Sequence, residues 1–310
     1  MQIPLRYVKM KKTTERGIFM SETLKKEAGK FGFEYEKHGR KLVWHDEFDK
    51  DTIDFDKWNF RRTMGGADRI YDNSEKHARI EDGKLLMQVH KTDDPEHPYS
   101  LSEGFTTSDT MLFTYGYLEI KARPPFRHGA WPSFWMQSAT PFRTVPWFSE
   151  VDIYEIFSSP NKVVANIHKW GEGKHTSLDG VENANGRAYF YKDFENLNDE
   201  YHIYGYEWDE KYMYFYVDGE MYVKFDITDE GCQITNEVLP GAQCFHDPHF
   251  FIFNDEIFTP NGGWVVPDFS LVDEDPMPID YYIDYVRLYQ KEGERLILKD
   301  EIAKKTAEAK

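Results

Sequence analysis

Positive charge is scarce in this sequence. Its 310 residues include 38 lysines and arginines against 55 aspartates and glutamates, a formal net charge of −17 at pH 7. Proteins bind nucleic acid and anionic membrane surfaces through basic side chains, so this balance argues against both as main partners. A neutral or weakly charged partner fits the composition better.

Cysteine and long apolar runs are also sparse. Cys232 and Cys244 are too few for a disulfide scaffold; they could pair, but we expect two free thiols. No run approaches the roughly 18 apolar residues of a membrane span. The basic N-terminal stretch is followed only by "GIFM", which is shorter than the apolar segment of a secretory signal. The chain as written predicts a cytoplasmic protein, or a secreted one if a signal has been removed.

Aromatic side chains, by contrast, are abundant. Phenylalanine (23), tyrosine (20) and tryptophan (8) together make up 16% of the sequence. Flat apolar rings that carry a polar edge stack well on sugars and on bases. Because the acidic charge disfavours bases, the composition favours a sugar ligand.

Short β-rich segments dominate the chain from Arg40 onward. They are separated by Gly, Pro, Asn and Asp at intervals of about 10 residues, which is typical of a β-sandwich or jelly roll. The "DG" at 218–219 lies between two such segments and predicts a hairpin. We predict an all-β domain over 37–292, an N-terminal extension over 1–36 with a short helix, and a helical C-terminal tail over 293–310. The clearest predicted strands are "KLLMQVH", "YGYLEIKAR", "SFWMQSA", "SEVDIYEIF", "KVVANIHKW", "YHIYGYEWD", "YMYFYVDGEMYVKFDI" and "YYIDYVRLYQ".

One predicted strand, "WFSEVDIYEIF", carries three carboxylates inside an apolar run. Side chains alternate between the faces of a strand, so Glu150 and Asp152 share one face and look into one cleft. Glu155 would point into the core of a regular strand, where an unpaired charge is very costly. A β-bulge at Ile153–Tyr154 adds one residue and returns Glu155 to the face of the other two carboxylates. The spacing therefore predicts a bulge.

Three carboxylates on one face favour glycoside chemistry. Retaining glycoside hydrolysis uses two carboxyl groups about 5–5.5 Å apart, one as nucleophile and one as acid/base. Close carboxylates cannot all ionise freely, so their pKa values are driven apart. Two alternatives stay open: a solvated acidic edge strand, and a site for a hard cation. The apolar flanks favour a buried central strand, and loops serve calcium better than strands do.

"EVDIYE" resembles the E-x-D-x-x-E motif in the bulged branch of glycoside hydrolase family 16, the jelly-roll endo-glycanases that include laminarinases, agarases, porphyranases and carrageenases. "LVWHDEFD", "GAWPSFWM" and "IDYVRLYQ" resemble other blocks of that family, as do "YGYLEIKAR" and "YHIYGYEWDEKYMYFYVDG". The resemblance implies a β-jelly-roll sandwich of two antiparallel sheets with a concave substrate cleft. It also implies Glu150 as nucleophile, Asp152 as assisting carboxylate and Glu155 as general acid/base.

Aromatic residues and one histidine are candidates for the cleft wall. Trp131 and Trp135 share a strand face and offer stacking surface, although two core tryptophans would show the same spacing. Trp147 precedes the acidic strand and is a third candidate. His168 matches a family histidine near the catalytic strand. Its role is either structural or functional, in which case it binds substrate or orients the acid/base.

A polar loop, "RRTMGGADRIYDNSEKH", is a candidate rim of the cleft. Asn73 and Glu75 take the place of an Asn- and Glu-containing segment of glucan-cleaving members, although the loop does not align cleanly with that pattern. Arg61, Arg62 and Arg69 either contact an anionic sugar in bidentate fashion or balance an acidic surface.

The sequence predicts no cofactor and no catalytic metal. His246 and His249 in "FHDPHF" have no further residue spacing that completes a zinc site. The family resemblance allows a structural calcium held by Glu47, the Gly83 backbone and Asp284.

The predicted function is a retaining endo-β-glycanase that acts on β-1,3- or β-1,3-1,4-glucan. A β-galactanase of the agarase, porphyranase or carrageenase type is one alternative, and a non-catalytic glycan-binding jelly roll is another. The expected partner is a polysaccharide or oligosaccharide, and we expect a monomer.

Overall fold

Two β-sheets pack face to face in this protein. The computed structural model describes residues 22–62, 69–157, 162–171, 173–177, 190–194, 197, 200–232, 234, 239–257 and 276–309. We call the sheet that carries the acidic strand the cleft sheet, and the other the outer sheet. The strands of the cleft sheet are β3 (Asn59–Phe60), β8 (Phe105–Thr106), β9 (Met111–Thr114), β11 (Ala130–Ser138), β12 (Phe148–Glu155), β13 (Lys162–Gly171), β14 (Lys174–Ser177), β15 (Phe190–Asp193), β19 (His249–Ile257) and β21 (Arg295–Leu298).

The outer sheet holds the remaining strands. They are β1 (Glu36–Lys37), β2 (Arg40–Asp46), β4 (Arg69–Tyr71), β5 (Ala78–Glu81), β6 (Lys84–Lys91), β7 (Tyr99–Leu101), β10 (Gly116–Arg123), β16 (His202–Trp208), β17 (Tyr212–Val217), β18 (Glu220–Asp226) and β20 (Ile279–Gln290). Helix α1 spans 22–31, and helix α2 spans Lys299–Glu308. No helix in the described part of the chain is long and apolar enough to cross a membrane.

The strand order puts the acidic strand near the centre of the cleft sheet. The order is β14-β13-β12-β11-β19-β8-β3, and each of these pairs is antiparallel. In the outer sheet, β20 pairs with β10 along one edge and with β2 and β6 along the other. Because β12 has a partner strand on both sides, its carboxylates cannot belong to a solvated edge strand, which excludes that alternative.

Aromatic side chains join the two sheets. The Tyr154 ring of β12 lies 4.2 Å from the Tyr204 ring of β16, and the Trp44 ring of β2 lies 5.5 Å from the Phe251 ring of β19. All four side chains are buried. Much of the aromatic content therefore builds the core between the sheets rather than a ligand surface.

The structure confirms the predicted all-β jelly-roll architecture and the eight predicted strand segments. Asp218 and Gly219, both with positive φ, form the predicted hairpin turn between β17 and β18. Both cysteines are buried and free. Strand β19 was not predicted, although its sequence "HFFIFNDEI" is rich in strand-forming residues.

The predicted terminal helices are partly correct. Helix α1 lies in the N-terminal extension, where a short helix was expected. The helical tail is confirmed for Lys299–Glu308 and wrong for Arg295–Leu298, which forms β21 and pairs with β9. The short apolar run 296–298 suits a strand as well as a helix, and pairing with the edge of β9 decides between them.

At Gly104 the chain passes very close to β19. Its φ is +84°, and a Cβ there would press on the Phe253 carbonyl oxygen and lie 2.5 Å from the Asn254 Cβ. A side chain at this position therefore meets both backbone strain and a steric clash with a strand that lines the cleft.

We expect Gly104→Ala to lower the free energy of unfolding by about 2–4 kcal/mol, because it adds a clash to the strain of a positive φ. Gly83→Ala is the matched control: Gly83 also has a positive φ, +68°, but a Cβ added there would meet no other part of the chain within 4 Å, so we expect a loss of about 1 kcal/mol. Denaturant unfolding measures both. Equal losses in the two variants would contradict the close approach of Gly104 to β19.

Candidate active site

The acidic strand contains the predicted bulge. Asp152 of β12 pairs with Asn166 of β13, and Glu155 of β12 pairs with Val164 of β13. Two residues of β12, Ile153–Tyr154, therefore lie opposite one residue of β13. The register with β11 shifts at the same place. The extra residue returns Glu155 to the cleft face, as the spacing of the three carboxylates predicted.

The apolar residues of the bulge stabilise it from the core side. Ile153 and Tyr154 are both buried, and the Tyr154 hydroxyl is hydrogen-bonded to the Tyr281 hydroxyl of the outer sheet. The Ile153 carbonyl accepts a hydrogen bond from the Tyr222 hydroxyl at 3.4 Å. Two successive apolar side chains are thus buried without turning a carboxylate into the core.

Glu150 lies at one end of the triplet, beside Gln137 of β11. The Gln137 side-chain amide donates a hydrogen bond to its Oε2 at 3.1 Å. Burial, followed by the negative charge of Asp152, raises the pKa of Glu150 to about 7. Glu150 is therefore the glutamate that ionises near neutral pH.

Glu155 lies at the other end of the triplet, beside Trp131. The Trp131 indole N–H donates a hydrogen bond to its Oε1 at 2.8 Å. Burial, followed by the negative charge of Asp152, raises the pKa of Glu155 well above its usual range. Glu155 therefore keeps its proton at a pH at which part of Glu150 is ionised.

Asp152, between the two glutamates, forms an ion pair with His168 of β13. The His168 Nε2 lies 2.8 Å from the Asp152 Oδ2, and both side chains are buried. Burial alone would lower the pKa of His168, but the charge and hydrogen bond of Asp152 raise it to about 9. The positive charge of this imidazolium partly offsets the three clustered carboxylates.

The cation-site alternative rests on the same residues. Donor atoms of Glu150, Asp152 and His168 lie within 4.8 Å of one another. A histidine ligand must present a neutral ring nitrogen to the metal, whereas both ring nitrogens of His168 already lie at hydrogen-bond distance, one from Asp152 and one from His175. The arrangement suits an ion pair better than a metal centre.

Trp131 and Trp135 both lie on the cleft face of β11. Trp135 pairs with Asp152, and its indole N–H donates to the Asn254 Oδ1 at 2.8 Å. The guanidinium of Arg61 lies 4.9 Å from the centre of the Trp135 ring. A sugar that stacks on this ring therefore has to share it with Arg61 or displace the guanidinium.

Trp147 lies elsewhere. It is half-buried, packs against the core, and its Cα and Cβ lie directly beside Gly171 of β13. The first residue of β12 on the face of Glu150 is instead Phe148, whose ring stacks at 6.5 Å on that of Trp170. Strand alternation from Glu150 could have found Phe148, because the two are two residues apart.

The predicted rim residues do not act together. The Asn73 side-chain amide donates to the Glu103 Oε2 at 2.7 Å, and its Oδ1 accepts from the Glu103 backbone N–H at 3.0 Å. Glu75 is exposed, and its carbonyl oxygen accepts a hydrogen bond from Arg79. The structure therefore pairs Asn73 with Glu103, which is distant in sequence and carries no local signal.

A cavity of about 710 Å³ lies on the β11 side of the carboxylates. Its wall includes Gln137, which contacts Glu150, and Trp135, which lies opposite Asp152. On the β13 side, Trp170 stacks on His175 at 3.7 Å. The remaining residues that line the cavity are Phe55, Asn59, Phe60, Arg61, Arg62, Glu103, Thr106, Ser108, Asp109, Phe250 and Ile252.

Two of the three predicted arginines have acidic partners. Arg69 donates to the Glu256 Oε2 at 2.7 Å, and Arg61 lies 3.9 Å from the Glu256 Oε1. Arg62 is exposed and lines the cavity. Charge balance thus accounts for Arg69, whereas Arg61 and Arg62 remain next to the space that a ligand would occupy.

The residues considered for structural metals already have other partners. Glu47 binds Arg287 at 2.7 Å, and Asp284 binds Lys121 at 2.7 Å, so a calcium ion would have to displace both cations. The structural calcium stays a prediction. His246 and His249 bind the carbonyl oxygens of Ile227 and Asp247, which fits structural roles.

Comparison with known proteins places this arrangement in a family. The sequence profile of the family described as "Glycosyl hydrolases family 16" matches residues 66–239. Over 274 residues the chain is 26% identical to "Glucan endo-1,3-beta-glucosidase A1" of Niallia circulans. That alignment covers 82% of this chain but only 38% of the longer relative.

The alignments with solved structures cover nearly the whole length of those structures. The laminarinase catalytic domain of Thermotoga maritima matches with a TM-score of 0.63 and 26% identity, over 82% of this chain and 99% of that one. A structure from work on endo-acting O-glycanases that human gut microbiota express to initiate mucin breakdown matches with a TM-score of 0.64 and 26% identity, over 88% of this chain and 95% of that one.

We expect Glu150→Gln to stabilise the protein at pH 8 by roughly 1–3 kcal/mol. The pKa of Glu150 rises from 4.5 to about 7 on folding. Wild-type stability is therefore lost as pH rises from about 4.5 to about 7, and glutamine removes this loss.

The matched control for this change is Glu75→Gln, which removes the same charge at an exposed position. Denaturant unfolding at pH 4 and at pH 8 measures both variants. A Glu150→Gln variant no more stable than Glu75→Gln at pH 8 would contradict the strained carboxylate cluster.

We expect EDTA to leave catalytic activity unchanged, because both ring nitrogens of His168 are already hydrogen-bonded to other side chains. Activity and melting temperature are measured before and after chelation and after calcium is added back. A lower melting temperature alone would reveal a structural ion elsewhere in the protein. Loss of activity at an unchanged melting temperature would instead establish a catalytic metal.

Proposed function

This chain belongs to glycosyl hydrolase family 16, and on that premise we propose that it is a retaining endo-β-glycanase that acts on β-1,3- or β-1,3-1,4-glucan. The observation that carries the proposal is the bulged strand β12, which puts Glu150, Asp152 and Glu155 on one face with unequal proton affinities. A pair of carboxyl groups whose pKa values differ is what a nucleophile and a general acid require.

In the first step, ionised Glu150 attacks the anomeric carbon and forms a glycosyl-enzyme ester. The bond from that carbon to the leaving oxygen breaks, and Glu155 gives its proton to this oxygen. In the second step, Glu155 takes a proton from water as the water oxygen attacks the same carbon, and the bond to Glu150 breaks. Both carboxyl groups return to their starting states.

Neighbouring side chains support this division of roles. Gln137 donates to Glu150, which favours the carboxylate, and the buried position of Glu155 favours the neutral acid. The charge of Asp152 raises the pKa of both glutamates, and His168 keeps Asp152 paired. No step needs a cofactor.

Surfaces on both sides of the carboxylates support cleavage within a chain. The cavity bounded by Trp135 and Gln137 lies on the β11 side, and the stacked rings of Trp170 and His175 lie on the β13 side. Adjacent strands are about 4.8 Å apart, so β3 and β12 are separated by roughly 19 Å across the cleft sheet. This width is enough for several sugar units next to the cleavage point.

The glucan substrate is favoured by the glucanase and laminarinase relatives. A β-galactanase is the second candidate. Arg61 and Arg62 line the cavity, and guanidinium groups bind sulfate and carboxylate in bidentate fashion. The structure from the work on mucin O-glycanases is also similar to this chain, which supports considering substrates other than glucan.

The substrate is tested by digestion of laminarin, mixed-linkage β-glucan, agarose, porphyran and κ-carrageenan. We expect a ladder of oligosaccharides from laminarin or from mixed-linkage β-glucan. Chromatographic sizing reports the substrate and endo action together. Nuclear magnetic resonance of the fresh product reports whether the β-configuration is retained. Release from a sulfated galactan alone would favour the second candidate, and binding without cleavage of any polymer would favour a sugar-binding protein.

The roles of the two glutamates are separated by azide rescue of alanine variants. We expect Glu150→Ala and Glu155→Ala each to lose at least about 10²–10⁴-fold in kcat. On an activated aryl glycoside, azide should yield an α-glycosyl azide with Glu150→Ala and a β-glycosyl azide with Glu155→Ala. The reverse pattern would exchange the two roles.

A further inference from the structure

The ion pair of Asp152 and His168 continues to a third side chain, His175 of β14. We propose that His175 is a positioning residue: its Nε2 accepts a hydrogen bond from the His168 Nδ1–H and so holds His168 as an imidazolium turned toward Asp152. The catalytic consequence rests on the proposed function. The hydrogen-bonding role itself does not.

The geometry forms a line of three side chains. The His168 Nε2 lies 2.8 Å from the Asp152 Oδ2, and the His168 Nδ1 lies 2.8 Å from the His175 Nε2. Both distances are hydrogen-bond distances. His168 thus uses both ring nitrogens, one toward the carboxylate cluster of β12 and one toward the neighbouring strand β14.

Proton balance gives His175 its role. An imidazolium donates from both nitrogens and accepts at neither. If His168 donates to Asp152 and to His175, then the Nε2 of His175 presents a lone pair and its single proton lies on Nδ1. A protonated His175 would place two N–H groups against each other and would break the line.

Trp170 holds the His175 ring in place although His175 is exposed. The two rings are stacked, with centroids 3.7 Å apart and planes 13° apart. Strand register pairs the same two residues across β13 and β14. An exposed histidine without such a neighbour would sample several rotamers, whereas this one is fixed with its Nε2 toward His168.

The charge on His168 acts on the catalytic pair. The charged groups that face His168 are Glu150, Asp152 and Glu155 of β12, while Lys169 of β13 points to the other face and donates to Leu239. The positive charge of His168 lowers the pKa of both glutamates, and Arg61 adds a smaller effect on Glu150. Without this charge, more of Glu150 would be protonated at neutral pH.

Two substitutions separate the hydrogen bond from the ring stack. His175→Gln keeps an acceptor oxygen near the position of Nε2 but loses the aromatic ring. His175→Phe keeps a ring that can stack on Trp170 but has no acceptor. Because His175 is exposed, we expect both variants to fold, which thermal unfolding checks.

The direct measurement is the pKa of His168 in the substrate-free protein, followed by nuclear magnetic resonance of its labelled imidazole. We expect His175→Phe to lower this pKa by about 0.5–1 pH unit, since a hydrogen bond to a charged group is lost and water replaces it only in part. We expect His175→Gln to leave it near the wild-type value.

The kinetic measurement is the pH profile of kcat/KM. In both variants we expect the acidic limb to stay within about 0.1 unit of its wild-type position, because a His168 whose pKa falls by at most about 1 unit from about 9 is still charged near pH 7. If both variants shift the His168 titration, or neither does, or only His175→Gln does, the positioning role is overturned. If the titration behaves as expected but no glycan is cleaved by the wild type, the proposed function fails and the role of His175 stands.

Discussion

One extra residue in β12 meets two demands that conflict in a regular strand. The sequence between Asp152 and Glu155 carries two large apolar side chains, which require burial, and the strand must also present three carboxylates to one cleft. The bulge at Ile153–Tyr154 satisfies both, because the added residue changes which face the following side chain occupies. The contacts of Tyr154 with Tyr204 and Tyr281 tie that bulge to the outer sheet.

The electrostatics of the cleft follow from that placement. Three acidic groups held close together away from water repel one another when they ionise. This repulsion lowers the free energy of unfolding at neutral pH. The cost is limited by the imidazolium of His168 against Asp152, and by single hydrogen bonds from Gln137 to Glu150 and from Trp131 to Glu155. The donors differ on the two glutamates, and burial is the largest influence on each pKa. These contacts lower the pKa of both glutamates, whereas burial and the charge of Asp152 raise it, and the balance differs between the two.

The cleft is assembled from strands that are distant in the sequence. Gly104 allows the chain to pass against β19, β19 brings Asn254 to Trp135, and β13 with β14 brings the Trp170 and His175 rings beside the ion pair. Each contact depends on strand order and register rather than on a motif. This explains why Trp147, close to the carboxylates in sequence, packs on the core while Phe148 shares their face.

Local sequence patterns were enough to predict the all-β class, most of the long strands, the turn at 218–219 and the bulge, because alternation and turn residues act over a few neighbouring positions. It also singled out Glu150, Asp152 and Glu155, since their spacing is a local property of one strand. The partners of those side chains, by contrast, follow from how distant strands come together in the fold. The pairing of Asn73 with Glu103, the strand at Arg295–Leu298 and the line from Asp152 through His168 to His175 depend on which strand edges meet. Those contacts join residues across strands, where register and burial, not local spacing, fix the neighbours.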